Sequence, residues 1–343
     1  MPSKNISLYS VLRILLLLSL TGLALPAMAI NCQRAATLVE NTLCSSPELR
    51  WLDHNLNWIY QTEVVKNPQS IWKQQQEWQR ARSSCVSDSC IQRAYLLGLS
   101  SLAQVDRNQS MEGKWWNKTA PNGSGGMLTV SRVSRWGYEL NATSWAGVNK
   151  VSLSGEGRLY YGVGLVDDLK DASGCKLLMI PRPDGTLEVA SNTDFGCKLF
   201  LPEGIAVDGV YVRGETDPRP PATLLSLGIF PTEALDQKFR ALVGQDYAEY
   251  VKTANTYTYS DDLDNQGATV MTLTVKGMAN RKAAMIRYTA EGQIWALRIE
   301  PTSAGKVKIG YVTTEADKSA IPKSLSTWWL NFPDAPEIVP SQK

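Results

Sequence analysis

Histidine is almost absent from this 343-residue chain, which contains only His54. It lies between Asp53 and Asn55 in a segment of helical periodicity, where we expect an exposed helix residue. A catalytic triad built on histidine and a metal site built on several histidines are therefore not predicted. No other recognisable set of nucleophile and base takes their place, so we expect no enzymatic activity, no cofactor and no bound metal.

The chain also lacks an excess of charge of either sign. Its formal net charge is +2, and this falls to zero without residues 1–29, which contain Lys4 and Arg13 and no acidic residue. Basic clusters are missing as well. The sequence therefore gives no electrostatic basis for binding nucleic acid.

Long apolar runs are missing after residue 29, so no transmembrane segment is expected there. Residues 1–29 have a basic start, an apolar middle and the ending Ala27-Met28-Ala29, a pattern that predicts a secretory signal peptide cleaved before Ile30. The short apolar run disfavours an uncleaved membrane anchor. Lipid attachment at Cys32 is disfavoured because no small residue precedes it. The predicted location is periplasmic or secreted.

Glycine is nearly absent from residues 32–102, which contain four tryptophans and four cysteines. Apolar residues recur at helical spacing in three stretches of this segment. The turns between them are predicted at Asn67-Pro68, where proline blocks continuation of a helix, and at residues 85–90. We therefore predict a disulfide-stapled helical hairpin or small bundle over residues 30–108.

The even number of cysteines predicts an exported protein in which all six are paired: Cys32, Cys44, Cys85, Cys90, Cys175 and Cys197. If residues 33–43 are helical, Cys32 and Cys44 lie about 18 Å apart, too far for a bond. A hairpin favours Cys44 joined to Cys85 or Cys90, with Cys32 taking the remaining one. A local Cys85–Cys90 bond is the alternative. Cys175 and Cys197 are expected to pair with each other.

Spaced residues of this module resemble the N-terminal family of LprI-like lysozyme inhibitors, which are secreted bacterial proteins. The resemblance covers about residues 32–102 and rests on the four cysteines together with Val39, Glu40, Pro47, Glu48, Leu49, Leu52, Asp53, Leu56, Tyr60, Gln75, Trp78, Arg82, Tyr95 and Leu99. It implies structural roles for Glu40, Leu52, Asp53, Tyr60, Trp78, Arg82 and Tyr95. Gly98 departs from the family, which usually has a basic residue there, and a glycine within a helix costs about 1 kcal/mol.

Trp78 and Arg82 are four residues apart and share one face of a helix, from which the arginine could pair with Asp53 or Glu40. We expect a partly buried ion pair that holds the hairpin together rather than a ligand contact. Three further tryptophans are candidate partner-binding residues, because exposed aromatic residues are frequent hot spots of protein interfaces. They are Trp51, Trp58 and Trp72, and core positions in an undersized bundle are the alternative interpretation.

Past residue 102 the chain becomes rich in glycine, serine and aromatic residues. Short runs of strand-forming residues predict strands at residues 113–117, 126–133, 137–144, 151–159, 174–180, 187–191 and 207–212. Seven short strands at near-regular spacing indicate an antiparallel β sandwich or barrel over residues 109–213.

A proline-rich linker is predicted at residues 214–222, before an α+β domain at residues 223–333 and a tail at 334–343. Apolar periodicity predicts one long helix at 233–253, and strands are predicted at 268–275, 283–289, 294–299 and 307–313. The expected arrangement is a helix covering one face of a four-stranded meander, with a short final helix at 324–330. The chain as a whole is thus predicted to be a multidomain α+β protein.

A run of acidic residues at 261–267 resembles the start of an EF-hand loop, because carboxylates alternate before Gly267. The twelfth position counted from Asp262 is Leu273 rather than the glutamate that such a loop needs. A solvated turn is therefore the preferred interpretation.

The expected function is that of an exported protein that binds a protein partner without catalysis, and the resemblance implies inhibition of a lysozyme. The alternative is a cell-envelope assembly or adaptor protein, and an exported hydrolase is a third. Basic residues slightly outnumber acidic ones in the helical module, so inhibition of a basic lysozyme would depend on shape and aromatic burial rather than on charge.

Overall fold

A computed structural model describes residues 30–192, 196–302 and 307–332. The predicted signal peptide and tail therefore lie outside the described residues. The chain divides after Leu102 into two compact units, a helical unit and a β-rich unit. Among the described residues, no helix is both long and apolar enough to cross a membrane.

The described part of the helical unit contains four α-helices: α1 (Leu38–Ser45), α2 (Pro47–Val64), α3 (Pro68–Ser83) and α4 (Asp88–Leu102). Thr37 and Glu40 form a capping box at the start of α1, and the Ser46 hydroxyl caps α2. Proline begins both α2 and α3, where its missing N–H costs nothing. The three predicted amphipathic helices are thereby confirmed, and their apolar faces bury Leu52, Leu56, Ile59, Ile71, Ile91 and Leu99.

The preferred disulfide pairing is wrong. The bonds join Cys32 to Cys44 and Cys85 to Cys90, so the local alternative at residues 85–90 is the correct one. Residues 33–43 are not one helix, because a 3₁₀ turn at Cys32–Arg34 is followed by extended backbone at Ala35 and α1 begins only at Leu38. The chain thus folds back and brings the two Cα atoms to 5.5 Å. The third bond joins Cys175 to Cys197, as predicted.

The first part of the β-rich unit is a closed antiparallel barrel. Its strands are β1 (Gly113–Asn117), β2 (Ser124–Ser131), β3 (Gly137–Ala146), β4 (Asn149–Tyr160), β5 (Val163–Val166), β6 (Leu169–Lys170), β7 (Leu177–Pro181), β8 (Leu187–Ser191) and β9 (Gly209–Arg213). Eight of them follow one another around the ring, and β9 pairs with β1 to close it. The two-residue β6 adds to β4. Of the two predicted alternatives, sandwich and barrel, the barrel is the one observed.

Side chains fill the barrel interior, among them Trp115, Tyr138, Met179 and Tyr211. The ring of Tyr138 lies against Gly157 and Gly164, where a Cβ atom would overlap it. Its hydroxyl lies 3.2 Å from the Met179 sulfur, and burial raises the pKa of Tyr138 far above its ordinary value. These residues make the interior a packed core.

The second part of the β-rich unit is a five-stranded meander of β10 (Thr256–Ser260), β11 (Thr269–Thr274), β12 (Ala283–Tyr288), β13 (Ile294–Pro301) and β14 (Val307–Thr313). One face packs against α5 (Glu233–Val243) and α6 (Tyr247–Thr253) through Phe239 and Tyr250. The other face packs against α7 (Lys323–Trp329) through Leu325. The predicted long helix is two helices, because Gly244 has φ 58° and the backbone turns there.

The predicted linker at residues 214–222 is held against the barrel. Arg219 donates hydrogen bonds to the carbonyl oxygens of Ala120 and Ser124, and it pairs with Asp217 at 2.6 Å. A second connection runs from the Asn122 side chain to the carbonyl oxygens of Val251 and Ala254. Barrel and meander are thus joined by hydrogen bonds as well as by the chain.

Candidate functional site

A buried carboxylate lies at the centre of the helical unit. Asp53, on α2, is only 4% exposed. Its Oδ1 accepts a hydrogen bond from the Tyr95 hydroxyl of α4 at 2.7 Å, and its Oδ2 accepts one from the Ile30 backbone nitrogen at 3.0 Å. Burial, and then the Asp53 charge, raise the pKa of Tyr95 far above its ordinary value, so the phenol keeps its proton and remains a donor.

Arg82 joins this network from α3. Its Nη1 lies 3.4 Å from the Tyr95 oxygen, and its guanidinium carbon lies 4.8 Å from the centre of the Trp78 ring. The expected ion pair of Arg82 with Asp53 or Glu40 is not formed among the described residues. The arginine reaches Asp53 through the Tyr95 hydroxyl instead.

The remaining residues implied by the resemblance also make contacts within the helical unit. Glu40 accepts hydrogen bonds from the backbone N–H groups of Ala36 and Thr37, which lower the pKa of its carboxyl. Leu52 and Tyr60 are buried on the core face of α2. These residues therefore take part in the packing and capping of the helical unit.

Two of the three candidate partner-binding tryptophans are exposed. Trp58 on α2 is 55% exposed and Trp72 on α3 is 53% exposed, although large aromatic side chains are usually buried. Trp51 is only 8% exposed, so the expectation that it faces a partner is wrong. It occupies the core-facing side of α2 next to Leu52. Trp58 and Trp72 are left as candidate contact residues of the helical unit.

A further exposed aromatic residue lies on the barrel and was not predicted. Trp136, in the turn between β2 and β3, is 71% exposed, and the Arg135 guanidinium lies 4.8 Å from its ring centre. It borders an open groove of about 960 Å³, which is also lined by Glu139, Glu156 and Arg158. The sequence did contain a signal for this residue, because Trp136 lies in a predicted turn between two strands. A solvated turn does not need a large aromatic side chain.

The acidic run at 261–267 is occupied by protein contacts. The Asp262 carboxylate accepts a hydrogen bond from the guanidinium of the fully buried Arg287. The pKa of Asp262 lies below its ordinary value. Burial acts to raise this pKa, but hydrogen bonds from Ala268, Gln266 and Arg287 have the larger effect in the opposite direction. Asp264 accepts from the backbone N–H groups of Lys323 and Ser324 at the start of α7. In the described ranges no group of three or more metal-binding side chains is found. His54 is exposed on α2, as expected.

Comparison with known proteins gives a partial match to LprI. The chain is 26% identical over 145 residues to proteins named Lipoprotein LprI from Mycobacterium bovis and from two strains of Mycobacterium tuberculosis. The matched part is 40% of this chain and 73% of each relative. No protein-family model matches the chain. No solved structure matches it either.

The LprI-like match is longer than the resemblance at residues 32–102. Forty per cent of 343 residues is about 137 residues, which exceeds the 102 residues that end at Leu102. A match of this length does not fit within residues 1–102, so part of it lies in the β-rich unit.

Proposed function

We propose that this chain is an exported, non-catalytic protein that binds a protein partner, and that the partner is a lysozyme whose substrate cleft it blocks. The LprI-like match and the three disulfides support export. The observation that carries the proposal is the pair of half-exposed tryptophans on a stapled helical hairpin, Trp58 and Trp72. Rigid aromatic side chains of this kind dominate the binding energy of many interfaces.

The charges of the helical unit indicate how such binding would work. Seven basic residues are interspersed with six acidic ones: Arg34, Arg50, Lys66, Lys73, Arg80, Arg82 and Arg93, and Glu40, Glu48, Asp53, Glu63, Glu77 and Asp88. A nearly neutral surface provides little electrostatic steering toward a basic lysozyme. Inhibition should therefore survive moderate salt.

Lipid attachment is not part of this proposal. The relatives are named lipoproteins, and a lipid would be attached through a cysteine sulfur. In this chain the sulfur of Cys32 is bonded to Cys44 and is therefore not available.

The test is the turnover of a peptidoglycan suspension by lysozymes of more than one class, with increasing amounts of the oxidised chain from residue 30. Inhibition should weaken at least tenfold in Trp58→Ala or Trp72→Ala, because a hot-spot residue is worth about 2 kcal/mol or more. Trp136→Ala is the matched control, since it removes an even more exposed tryptophan from the β-rich unit. If Trp136→Ala alone weakens inhibition, the barrel and not the hairpin binds the lysozyme.

A cell-envelope adaptor is the second candidate. It is favoured by the extent of the chain outside the LprI-like match, which covers only 40% of it. Absence of inhibition at a large molar excess, with every lysozyme class tested, would favour this candidate. Capture of a specific envelope partner by the wild-type chain, and its loss in Trp58→Ala, would then identify the same surface in a different role.

A further inference from the structure

The backbone nitrogen of Ile30 belongs to the hydrogen-bond network around Asp53, at a partly buried position. It is 3.0 Å from Asp53 Oδ2, although the two residues are 23 positions apart. The segment that follows is fixed, because the Asn31 side chain caps a 3₁₀ turn and Cys32 is bonded to Cys44. Ile30 is therefore held in place against α2 at little further entropic cost.

Ile30 is also the residue that directly follows the predicted cleavage site at Ala27-Met28-Ala29. In the uncleaved chain its nitrogen is a neutral amide, whereas cleavage converts it to an ammonium group. We propose that removal of residues 1–29 creates a charged amino terminus that forms a partly buried ion pair with Asp53, so that processing itself stabilises the helical unit. This inference rests on the predicted cleavage and not on lysozyme inhibition.

The environment of Asp53 shows why a positive charge would be favourable there. A buried carboxylate is costly unless a charge is paired with it. Tyr95 supplies a neutral donor at 2.7 Å, and the Asn57 side chain bonds to the backbone oxygen of Asp53 rather than to its carboxylate. Arg82 contacts the Tyr95 hydroxyl and not the Asp53 carboxylate itself. An ammonium at Ile30 would place a full positive charge 3.0 Å from the Asp53 carboxylate oxygen, so Coulomb attraction would add to the hydrogen bond that the neutral amide already makes.

The experiment compares two full-length mature chains, one beginning at Ile30 and one that retains Ala29. The longer chain keeps an N–H donor at residue 30 but moves the charge one residue away. Hydrogen exchange of peptides from α2 and α4 is the readout, with β3 as an internal control. We expect exchange in α2 and α4 to be about fivefold faster in the longer chain and unchanged in β3.

Two further backgrounds separate charge pairing from crowding by the extra residue. In Asp53→Asn the added alanine should have no effect, because the carboxylate is gone. If that variant does not fold, Tyr95→Phe serves instead, and there the added alanine should accelerate exchange more than in the wild type. The inference is wrong if the alanine has no effect in the wild type, or the same effect in the variant used. It is also wrong if the exported protein begins at a residue other than Ile30, as shown by mass spectrometry.

Discussion

Gly98 is the residue at which the helical unit deviates from the LprI-like pattern, and the packing of α4 explains it. A Cβ at this position would lie 2.5 Å from Trp78 Cδ1 and 2.6 Å from Leu56 Cδ1, closer than real side chains approach. The glycine therefore provides space for the indole ring that also contacts Arg82 and Tyr95. Its cost in helix propensity is offset by packing.

We accordingly predict that Gly98→Ala destabilises the helical unit. Alanine gains about 1 kcal/mol in helix propensity, but overpacking costs about 1–3 kcal/mol and strain on Trp78 should dominate. Urea unfolding followed by circular dichroism at the helix band measures the difference. Arg93→Ala, at an exposed site on the same helix, should change stability by less than about 0.5 kcal/mol. A Gly98→Ala protein as stable as the wild type would contradict the packing explanation.

The lowered pKa of Glu40 allows a prediction of how the stability of the helical unit responds to acid. Its folded-state pKa is below the ordinary value of 4.5, because backbone N–H groups of Ala36 and Thr37 bond to the carboxylate. A lowered folded-state pKa contributes stability that is present above the ordinary value and lost as pH falls through the folded-state value. Glu40→Gln should therefore lower the thermal midpoint near neutral pH, and the difference should shrink in acid. Glu77→Gln on α3 is the matched control and should show no such change.

The residues of the central network could be named from the sequence, but their connection could not. Helical spacing placed Trp78 and Arg82 on one face and indicated Asp53 or Glu40 as the partner of the arginine. Helical spacing does not show how deeply each side chain is buried, however. It could therefore not show that the Tyr95 hydroxyl lies between Arg82 and Asp53. The contact of the Ile30 nitrogen with Asp53 depends on the fold of residues 31–37, and the sequence of this segment has no apolar periodicity from which that fold could be predicted.

At the scale of elements, the two disulfides of the helical unit close loops of different length. The Cys32–Cys44 bond spans 12 positions and the Cys85–Cys90 bond spans five. In the chain-entropy description, a bond that closes a longer loop removes more conformational entropy from the unfolded state. The resulting stabilisation is about 3 kcal/mol for the first bond and about 2 kcal/mol for the second. The first bond also anchors the segment that carries Ile30.

We therefore predict that replacing Cys32 and Cys44 together by serine destabilises the helical unit more than replacing Cys85 and Cys90. The measurement is urea unfolding of both double variants, with Cys175 and Cys197 left intact. Equal losses in the two variants would mean that loop length does not decide the contribution of each bond.

Elements with a strong local pattern were predicted, and those defined by distant partners were not. The three amphipathic helices and most strands appear close to their expected positions. Strand β5 is four residues long, contains Gly164 and is buried throughout, so it shows no alternation to detect. Strand β10 lies at the edge of the meander with Tyr257 and Tyr259 exposed, which makes it look like a loop. Closure of the barrel depends on the pairing of β1 with β9, about a hundred residues apart, and no local pattern records it.

At the scale of the whole molecule, the division after Leu102 separates the core of the helical unit from the cores of the barrel and the meander. The barrel is closed by its own strands, and Asn122 and Arg219 connect it to other parts of the β-rich unit. We predict that a chain of residues 103–343 folds without the helical unit. Its circular dichroism should retain the sheet signal, and the Cys175–Cys197 bond should resist mild reduction. A molten or aggregated product would show instead that the two units depend on each other for folding.

The order of the disulfides along the chain has a consequence for biogenesis. The six cysteines form three bonds between neighbours in sequence: the first with the second, the third with the fourth and the fifth with the sixth. A chain that crosses a membrane from its amino end exposes its cysteines in the same order, so each pair can be oxidised as soon as its second member emerges. Simple oxidation during translocation then yields the native bonds, and a strain without a disulfide isomerase should accumulate this protein at normal levels.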